Sequence, residues 1–130
     1  MSSRQIVKPL FWVGSSHKDL SGFPDSVKRN LGFALYQAQV GRKSPAAKPL
    51  KGFGGASVLE IVESYQTDAY RAVYTVQFGE AIYVLHAFQK KSKKGAKTPT
   101  AEMEQIKRRL KDAQEDYQSW VKNRGSEDEK

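Results

Sequence analysis

The sequence contains no cysteine and only two histidines, His17 and His86. Without cysteine the chain cannot form a disulfide framework, a thiolate nucleophile or a thiolate metal site. Neither histidine has a carboxylate pair at ligand spacing, so we expect no metal site and no cofactor. A Ser-His-Asp system would need a serine in a strained, glycine-flanked turn, which is also missing. The remaining chemistry depends on charged and hydrogen-bonding side chains.

Long apolar runs are missing as well, since no stretch approaches the roughly 20 residues of a membrane span. The first residues, Met1 to Gln5, lack the apolar core of a signal peptide. We therefore expect a cytoplasmic protein with no membrane partner. A chain of 130 residues is long enough for one hydrophobic core. We predict a single domain over residues 1–122 and a polar, fraying tail over residues 123–130.

Positive charge is abundant and concentrated in one region. The chain has 22 lysines and arginines against 14 acids, a formal net charge of +8. The excess lies in residues 1–100, whereas residues 101–130 are close to neutral. An acid-free cluster follows the last apolar strand pattern and consists of Lys90, Lys91, Lys93, Lys94 and Lys97. Such a cluster indicates a polyanionic partner, and the alternative is a solvated loop.

The hydrophobic patterns predict a strand, a helix, three strands and a second helix. The first strand, Ile6 to Val13, contains Pro9 and should lie at a sheet edge or begin pairing after the proline. A helix should begin at Asp25 and end at Gly41. Residues 42–55 are typical of a loop, which Leu50 and Phe53 should anchor.

Three strand patterns follow, separated by connections short enough for hairpins. They are Val58 to Tyr65, Tyr70 to Phe78 and Ala81 to Phe88. Thr98 and Pro99 should then serve as the N-cap and first residue of a long helix. Its apolar stripe comprises Met103, Ile106, Leu110, Ala113, Tyr117 and Trp120. The predicted fold is α+β, an antiparallel sheet of an edge strand plus a three-stranded meander, packed by two helices.

Two strand residues are candidates for chemistry. Arg71 lies in an apolar strand, where it could form a salt bridge with Glu60 or Glu63 or donate hydrogen bonds to a scissile phosphate. His86 could be a core histidine with satisfied hydrogen bonds, or an acid, base or donor beside that phosphate. The sequence pattern leaves both pairs of alternatives open.

An ordered set of segments resembles a known family. The segments are Lys48-Pro-Leu-Lys-Gly52, Val58-Leu-Glu-Ile-Val62, Tyr70-Arg-Ala-Val-Tyr-Thr-Val76, Leu85-His-Ala-Phe-Gln-Lys-Lys-Ser92 and Thr98-Pro99. Together they resemble the RelE/HigB superfamily of toxins from bacterial type II toxin–antitoxin modules, in particular the phage-derived, Gp49-like HigB branch. The resemblance extends from about Val7 to about Tyr117.

The resemblance implies a RelE-like toxin fold and a ribosome-dependent mRNA endonuclease, an mRNA interferase. In this family the 2′-hydroxyl of the message attacks the adjacent phosphate without a metal. The implied partners are the ribosome, mRNA and a helix-turn-helix antitoxin, which forms a hetero-oligomer with the toxin.

The same resemblance assigns roles to individual positions. Arg71, Lys90 and Lys91 match catalytic positions, and Lys51 matches a basic residue of the preceding loop. With His86 added, the predicted catalytic set is Arg71, Lys90, Lys91 and His86. The predicted RNA-binding set is Lys51, Lys93, Lys94 and Lys97. The late histidine or tyrosine that is common in the family has no clear counterpart here, so the general acid and base are not identified.

Two other functions fit the same charge pattern. One is a non-catalytic, phage-derived accessory protein that binds nucleic acid, and the other is a basic protein-interaction module.

Overall fold

A five-stranded sheet forms the centre of the molecule in the computed structural model, which describes residues 6–90 and 98–128. The elements in chain order are β1 (Leu10–Trp12), α1 (Ser16–Ser21), α2 (Asp25–Gln39), β2 (Ala47–Pro49), β3 (Val58–Tyr65), β4 (Asp68–Thr75), β5 (Ile82–Lys90) and α3 (Thr100–Asp128).

The sheet is mixed, and the prediction of a purely antiparallel sheet is wrong in this respect. Its strand order is β1-β5-β4-β3-β2. Strands β2 to β5 pair antiparallel, because the connections between them, of at most eight residues, are too short for a parallel crossover. Strand β1 pairs parallel with β5, with Leu10 opposite Ile82. Because β1 and β5 are far apart in the chain, no short turn fixes their relative direction.

The ends of the sheet partly follow the sequence prediction. Pairing of the edge strand β1 begins at Pro9, whose carbonyl accepts a hydrogen bond from Ile82 N at 3.0 Å. The other edge strand, β2, lies inside the segment that was predicted to be a loop. It carries Pro49, which an edge strand tolerates because its outer side needs no donor. The six-residue helix α1 was also not predicted.

Helices cover both faces of the sheet. Buried side chains of α2, including Val27, Leu31 and Leu35, pack on the face that carries Ile61 and Tyr74. The opposite face packs against α3. The predicted apolar stripe of α3 is confirmed, because Ile106 and Ala113 are buried and the other stripe residues pack around them.

Helix α3 continues to Asp128, past the predicted fraying point at residue 123. Arg124 provides a tertiary contact in this last part, since it pairs with Glu80 and lies over the Trp120 ring.

A register shift changes the alternation of side chains in β5. It falls between the Val73 and Tyr74 pairings, next to Leu85. Val84 therefore packs on the α2 face, whereas His86 points to the α3 face. Regular alternation along the strand would place both residues on the same side.

Candidate active site

A groove of about 940 Å³ opens on the α3 face of the sheet, where α3 leaves strands β2 and β3 uncovered. Its wall combines apolar and charged side chains. The lining residues are Lys48, Pro49, Leu50, Lys51, Glu60, Val62, Ser64, Ala69, Arg71, Thr98 and Met103. We refer to this cavity as the Arg71 groove.

Three polar residues form a hydrogen-bonded cluster in the groove, which we name the groove cluster: Arg71, Glu60 and Thr98. Arg71 Nη1 donates to both carboxylate oxygens of Glu60 at 3.2 Å. The Thr98 hydroxyl donates to Glu60 Oε2 at 3.1 Å. The side chains of Arg71 and Glu60 are only 5% and 12% exposed, so the ion pair is shielded from water yet borders the cavity.

The strand register produces this cluster. Val62 on β3 lies opposite Arg71 on β4, so Glu60, two residues away, points to the same face and reaches Arg71 diagonally. Thr98 was predicted to cap α3, but its hydroxyl binds Glu60 instead. The Pro99 carbonyl accepts the hydrogen bond of Met103 N at 3.0 Å. Thr98 thus joins the approach to α3 to the groove cluster.

Cations border the groove cluster. Lys48 and Lys51 line the groove and are exposed. Lys90 ends β5 opposite Ala69, another lining residue, and alternation places it on the face that carries Arg71. Residues 26–59 contain six bases and no acid. This acid-free stretch supplies β2, and it is the sequence signal from which the basic groove could have been predicted.

The structure brings together some of the predicted site residues. Arg71 and Lys51 both line the groove, and Lys90 lies on the same face. Four of the predicted site residues lie outside the described residues, namely Lys91, Lys93, Lys94 and Lys97. His86 is described, but it is not among the residues that line the groove.

His86 belongs to a second cluster, which we name the His86 network: His86, Glu102, Arg109 and Ser15. Arg109 Nη1 lies 3.0 Å from His86 Nδ1 and donates to the Leu85 carbonyl at 3.0 Å. A guanidinium only donates, so Nδ1 accepts and the ring proton is on Nε2, which donates to Glu102 at 2.9 Å. Both ring nitrogens are therefore engaged.

The remaining contacts of the His86 network hold the start of α1 to α3. Arg109 Nη2 donates to the Ser15 hydroxyl at 3.0 Å. Gly14 has φ +56°, and a Cβ at this position would lie 2.9 Å from Arg109 Nε. Both the positive φ and the lack of space for a Cβ therefore require glycine at this position. Phe88 stacks on the His86 ring and lies opposite Arg71, so it separates the network from the groove cluster.

Within residues 6–90 and 98–128, no three His, Cys, Asp or Glu side chains are grouped as metal ligands would be. No helix in this described part is both long enough and apolar enough to cross a bilayer.

A match to a family model agrees with the resemblance found in the sequence. A family model described as phage-derived protein Gp49-like matches residues 18–111, well over half of the chain. The chain belongs to this family. The match confirms the resemblance to the Gp49-like branch of toxin–antitoxin toxins. No curated protein matches the chain.

A solved structure is similar to this Gp49-like protein. The similarity covers 70% of the Gp49-like chain and 100% of the chain in the solved structure. The solved structure is the toxin–antitoxin complex RelBE2 from Mycobacterium tuberculosis, with 14% identity and a TM-score of 0.45.

Sequence reasoning missed part of the groove of this Gp49-like chain. Glu60 was considered only as a salt-bridge partner, and Thr98 only as a helix cap. Lys48 was noted within the family resemblance but not as a site residue. The structure places all three in the lining of the Arg71 groove.

Proposed function

We propose that this Gp49-like protein is the toxin of a type II toxin–antitoxin module and acts as a ribosome-dependent mRNA endonuclease, an mRNA interferase. The observation that carries the proposal is the shielded Arg71–Glu60 pair in a groove bordered by lysines. A guanidinium in such a groove can bind a phosphate through two parallel hydrogen bonds. The lysines around it can bind neighbouring phosphates of the same strand.

The proposed reaction takes its nucleophile from the substrate. The 2′-hydroxyl of one nucleotide attacks the adjacent phosphate, which yields a 2′,3′-cyclic phosphate and a 5′-hydroxyl. Arg71 stabilises the negative charge that develops on the non-bridging oxygens. Lys90 and Lys91, at the end of β5, are proposed to bind the same phosphate. This step uses groups of the protein and the RNA together with water, and no metal.

The other lysines are proposed to position the message. Lys51 borders the groove, and Lys93, Lys94 and Lys97 follow β5 in the sequence. Contacts to flanking phosphates fix the register of an RNA strand and do not read its bases. In the cytoplasm, a helix-turn-helix antitoxin would form a hetero-oligomer with the toxin and block access of the message to the groove.

Induced expression tests the proposal. Expression from a tightly controlled promoter should arrest growth, and primer extension on an abundant transcript should reveal new 5′ ends within the coding frame. Coexpression of the protein encoded by an adjacent helix-turn-helix gene should restore growth. Growth arrest with intact messages would contradict the nuclease and favour the non-catalytic nucleic-acid-binding protein or the basic protein-interaction module.

A further inference from the structure

We propose that Glu60 is the proton acceptor that activates the 2′-hydroxyl. This inference rests on the proposed function, because it assigns a further role within the same groove. Among the described residues that line the groove, Glu60 is the single carboxylate. A positioned base that removes its proton makes a hydroxyl a much better nucleophile. The groove therefore holds a base next to the phosphate-binding arginine.

The contacts of Glu60 leave one oxygen available. Oε2 accepts hydrogen bonds from Thr98 at 3.1 Å and from Arg71 at 3.2 Å. Among the described residues, Oε1 accepts only from Arg71, also at 3.2 Å. A carboxylate oxygen can accept more than one hydrogen bond. Oε1 can therefore accept a bond from a substrate hydroxyl while Thr98 and Arg71 hold the carboxylate in place.

The same pair connects phosphate binding to the position of the base. Glu60 lies within 3.2 Å of Arg71 Nη1, so a phosphate bound by Arg71 brings the 2′-hydroxyl of the preceding nucleotide close to the carboxylate. The phosphate also takes over part of the guanidinium's hydrogen bonding. Binding of the substrate thus places the hydroxyl proton beside the carboxylate.

The proposed step transfers one proton, forms one bond and breaks one bond. The proton of the 2′-hydroxyl moves to Glu60 Oε1, the bond between O2′ and phosphorus forms, and the bond between phosphorus and O5′ breaks. The departing O5′ takes a proton from water, and the protonated Glu60 returns its proton to the solvent. The products are a 2′,3′-cyclic phosphate and a 5′-hydroxyl, with no change in oxidation state.

A pair of neutralising substitutions on β3 tests the role of Glu60. Glu60→Gln keeps the size and the acceptor oxygen that Arg71 and Thr98 contact, but it cannot take a proton. Glu63→Gln is the matched control, because Glu63 alternates to the other face of β3 and does not line the groove. On ribosomes programmed with a defined mRNA, we expect Glu60→Gln to lower the single-turnover cleavage rate by about 10²- to 10⁴-fold, with binding retained. Glu63→Gln should cleave at the wild-type rate.

Two readouts distinguish a base from a residue that only holds Arg71 in place. The acid limb of the pH–rate profile should disappear in Glu60→Gln and remain in Glu60→Asp, which retains a carboxylate and a charge for Arg71. A message with a 5′-bridging sulfur at the cleavage site has a leaving group that needs no protonation. Glu60→Gln should stay slow on this message, because removal of the 2′-hydroxyl proton still limits the reaction.

Other results would overturn the inference. Cleavage by folded Glu60→Gln within a few-fold of wild type would exclude Glu60 as the base, and recovery on the sulfur-containing message would identify it as the acid. If Glu60→Gln does not fold, Glu60→Asp provides the test. This variant should cleave more slowly than the wild type and keep the acid limb of the pH–rate profile, and a loss of that limb would contradict the inference. A wild-type protein that cleaves no message would overturn the proposed function and this inference together. A wild type that cleaves normally beside an equally active Glu60→Gln would overturn this inference alone.

Discussion

The groove cluster and the His86 network are both buried ionic clusters on the α3 face of the sheet, and they differ in what they leave available. In the His86 network each ring nitrogen of His86 has a partner, and Arg109 binds a carbonyl, a ring nitrogen and a hydroxyl. In the groove cluster one oxygen of Glu60 can accept a further bond, beside a cavity of about 940 Å³. The network adjoins a smaller pocket of about 420 Å³.

This difference separates two uses of buried charge. A fully satisfied polar network fixes the arrangement of the elements that it joins, and here it joins α1, β5 and α3. The ion pair beside the groove can bind a ligand at a smaller cost in free energy than the His86 network, because an oxygen of Glu60 can accept a further hydrogen bond. We therefore expect substitutions in the groove cluster to change the rate of cleavage as well as stability, and substitutions in the His86 network to change stability without changing the rate.

After the substitution of Glu60, the largest effect should come from Arg71. We expect Arg71→Ala to lower the single-turnover cleavage rate by about 10²-fold or more, because a donor to the developing phosphate charge is lost. The same variant leaves Glu60 buried without its cation, which should lower the free energy of unfolding by about 3 kcal/mol. Cleavage assays on programmed ribosomes and urea unfolding measure the two quantities separately.

A double variant tells these two effects apart. Glu60→Leu with Arg71→Met replaces the ion pair by apolar side chains, which should recover most of the lost stability without recovering cleavage. If activity returned together with stability, Arg71 would have only a structural role, as the salt-bridge interpretation of the sequence proposed.

An intermediate effect is expected at His86, and it should be on stability. His86→Phe preserves the stacking on Phe88 but removes the acceptor of Arg109 and the donor to Glu102. We expect a loss of about 1–3 kcal/mol in the free energy of unfolding, with the cleavage rate of the folded protein within about threefold of wild type. His17→Phe, at an exposed position, serves as the matched control, because it also keeps a ring stacked on Trp12. A tenfold slower rate with unchanged stability would instead support the catalytic role predicted from the sequence.

The sequence predicted much of the fold because local patterns determine it. The bounds of β3, Val58–Tyr65, and the start of α2 at Asp25 were predicted correctly, and the apolar stripe of α3 is confirmed. The direction of β1 could not be predicted, since its partner β5 is about 70 residues away in the chain. Strand β2 was missed because its lysine and proline residues have no strand pattern and its pairing with β3 determines its structure.

The site was less predictable, because its geometry depends on contacts between distant residues. The sequence named Glu60 as a possible partner of Arg71, which the register of β3 and β4 confirms. It could not show that Thr98 would reach Glu60 across 38 positions. The bulge in β5 likewise changed the face of His86 relative to Val84, and no residue in that strand signals it. Roles at Lys91, Lys93, Lys94 and Lys97 stay predictions, since these residues lie outside the described part of the chain.

The smallest effects should come from two buried tyrosines. One hydroxyl has a hydrogen-bond partner and the other has none, so the pair extends the comparison to uncharged groups. The Tyr83 hydroxyl donates to Asp116 at 2.6 Å, whereas the Tyr74 hydroxyl is buried and has no hydrogen-bond partner among the described residues. We expect Tyr83→Phe to lower the free energy of unfolding at pH 7 by about 1 kcal/mol. Tyr74→Phe should leave it unchanged or raise it slightly, because no hydrogen bond is lost.

At high pH, the free energy of unfolding of the wild type should differ from that of the two Tyr→Phe variants in its dependence on pH. Burial raises the pKa of Tyr74 to about 12, and burial together with the Asp116 hydrogen bond raises the pKa of Tyr83 well above its usual value. An unfolded tyrosine releases its proton near pH 10, so the unfolded state binds fewer protons between pH 10 and pH 12. The free energy of unfolding should therefore fall in this range by at most about 1.4 kcal/mol per pH unit for each tyrosine. The measurement is urea unfolding at pH 7, 10 and 11.5. The free energy of unfolding should decline less in each Tyr→Phe variant than in the wild type, by the contribution of the tyrosine that was replaced. A decline of unchanged slope in Tyr74→Phe would show that its hydroxyl is not shielded from solvent in the folded protein.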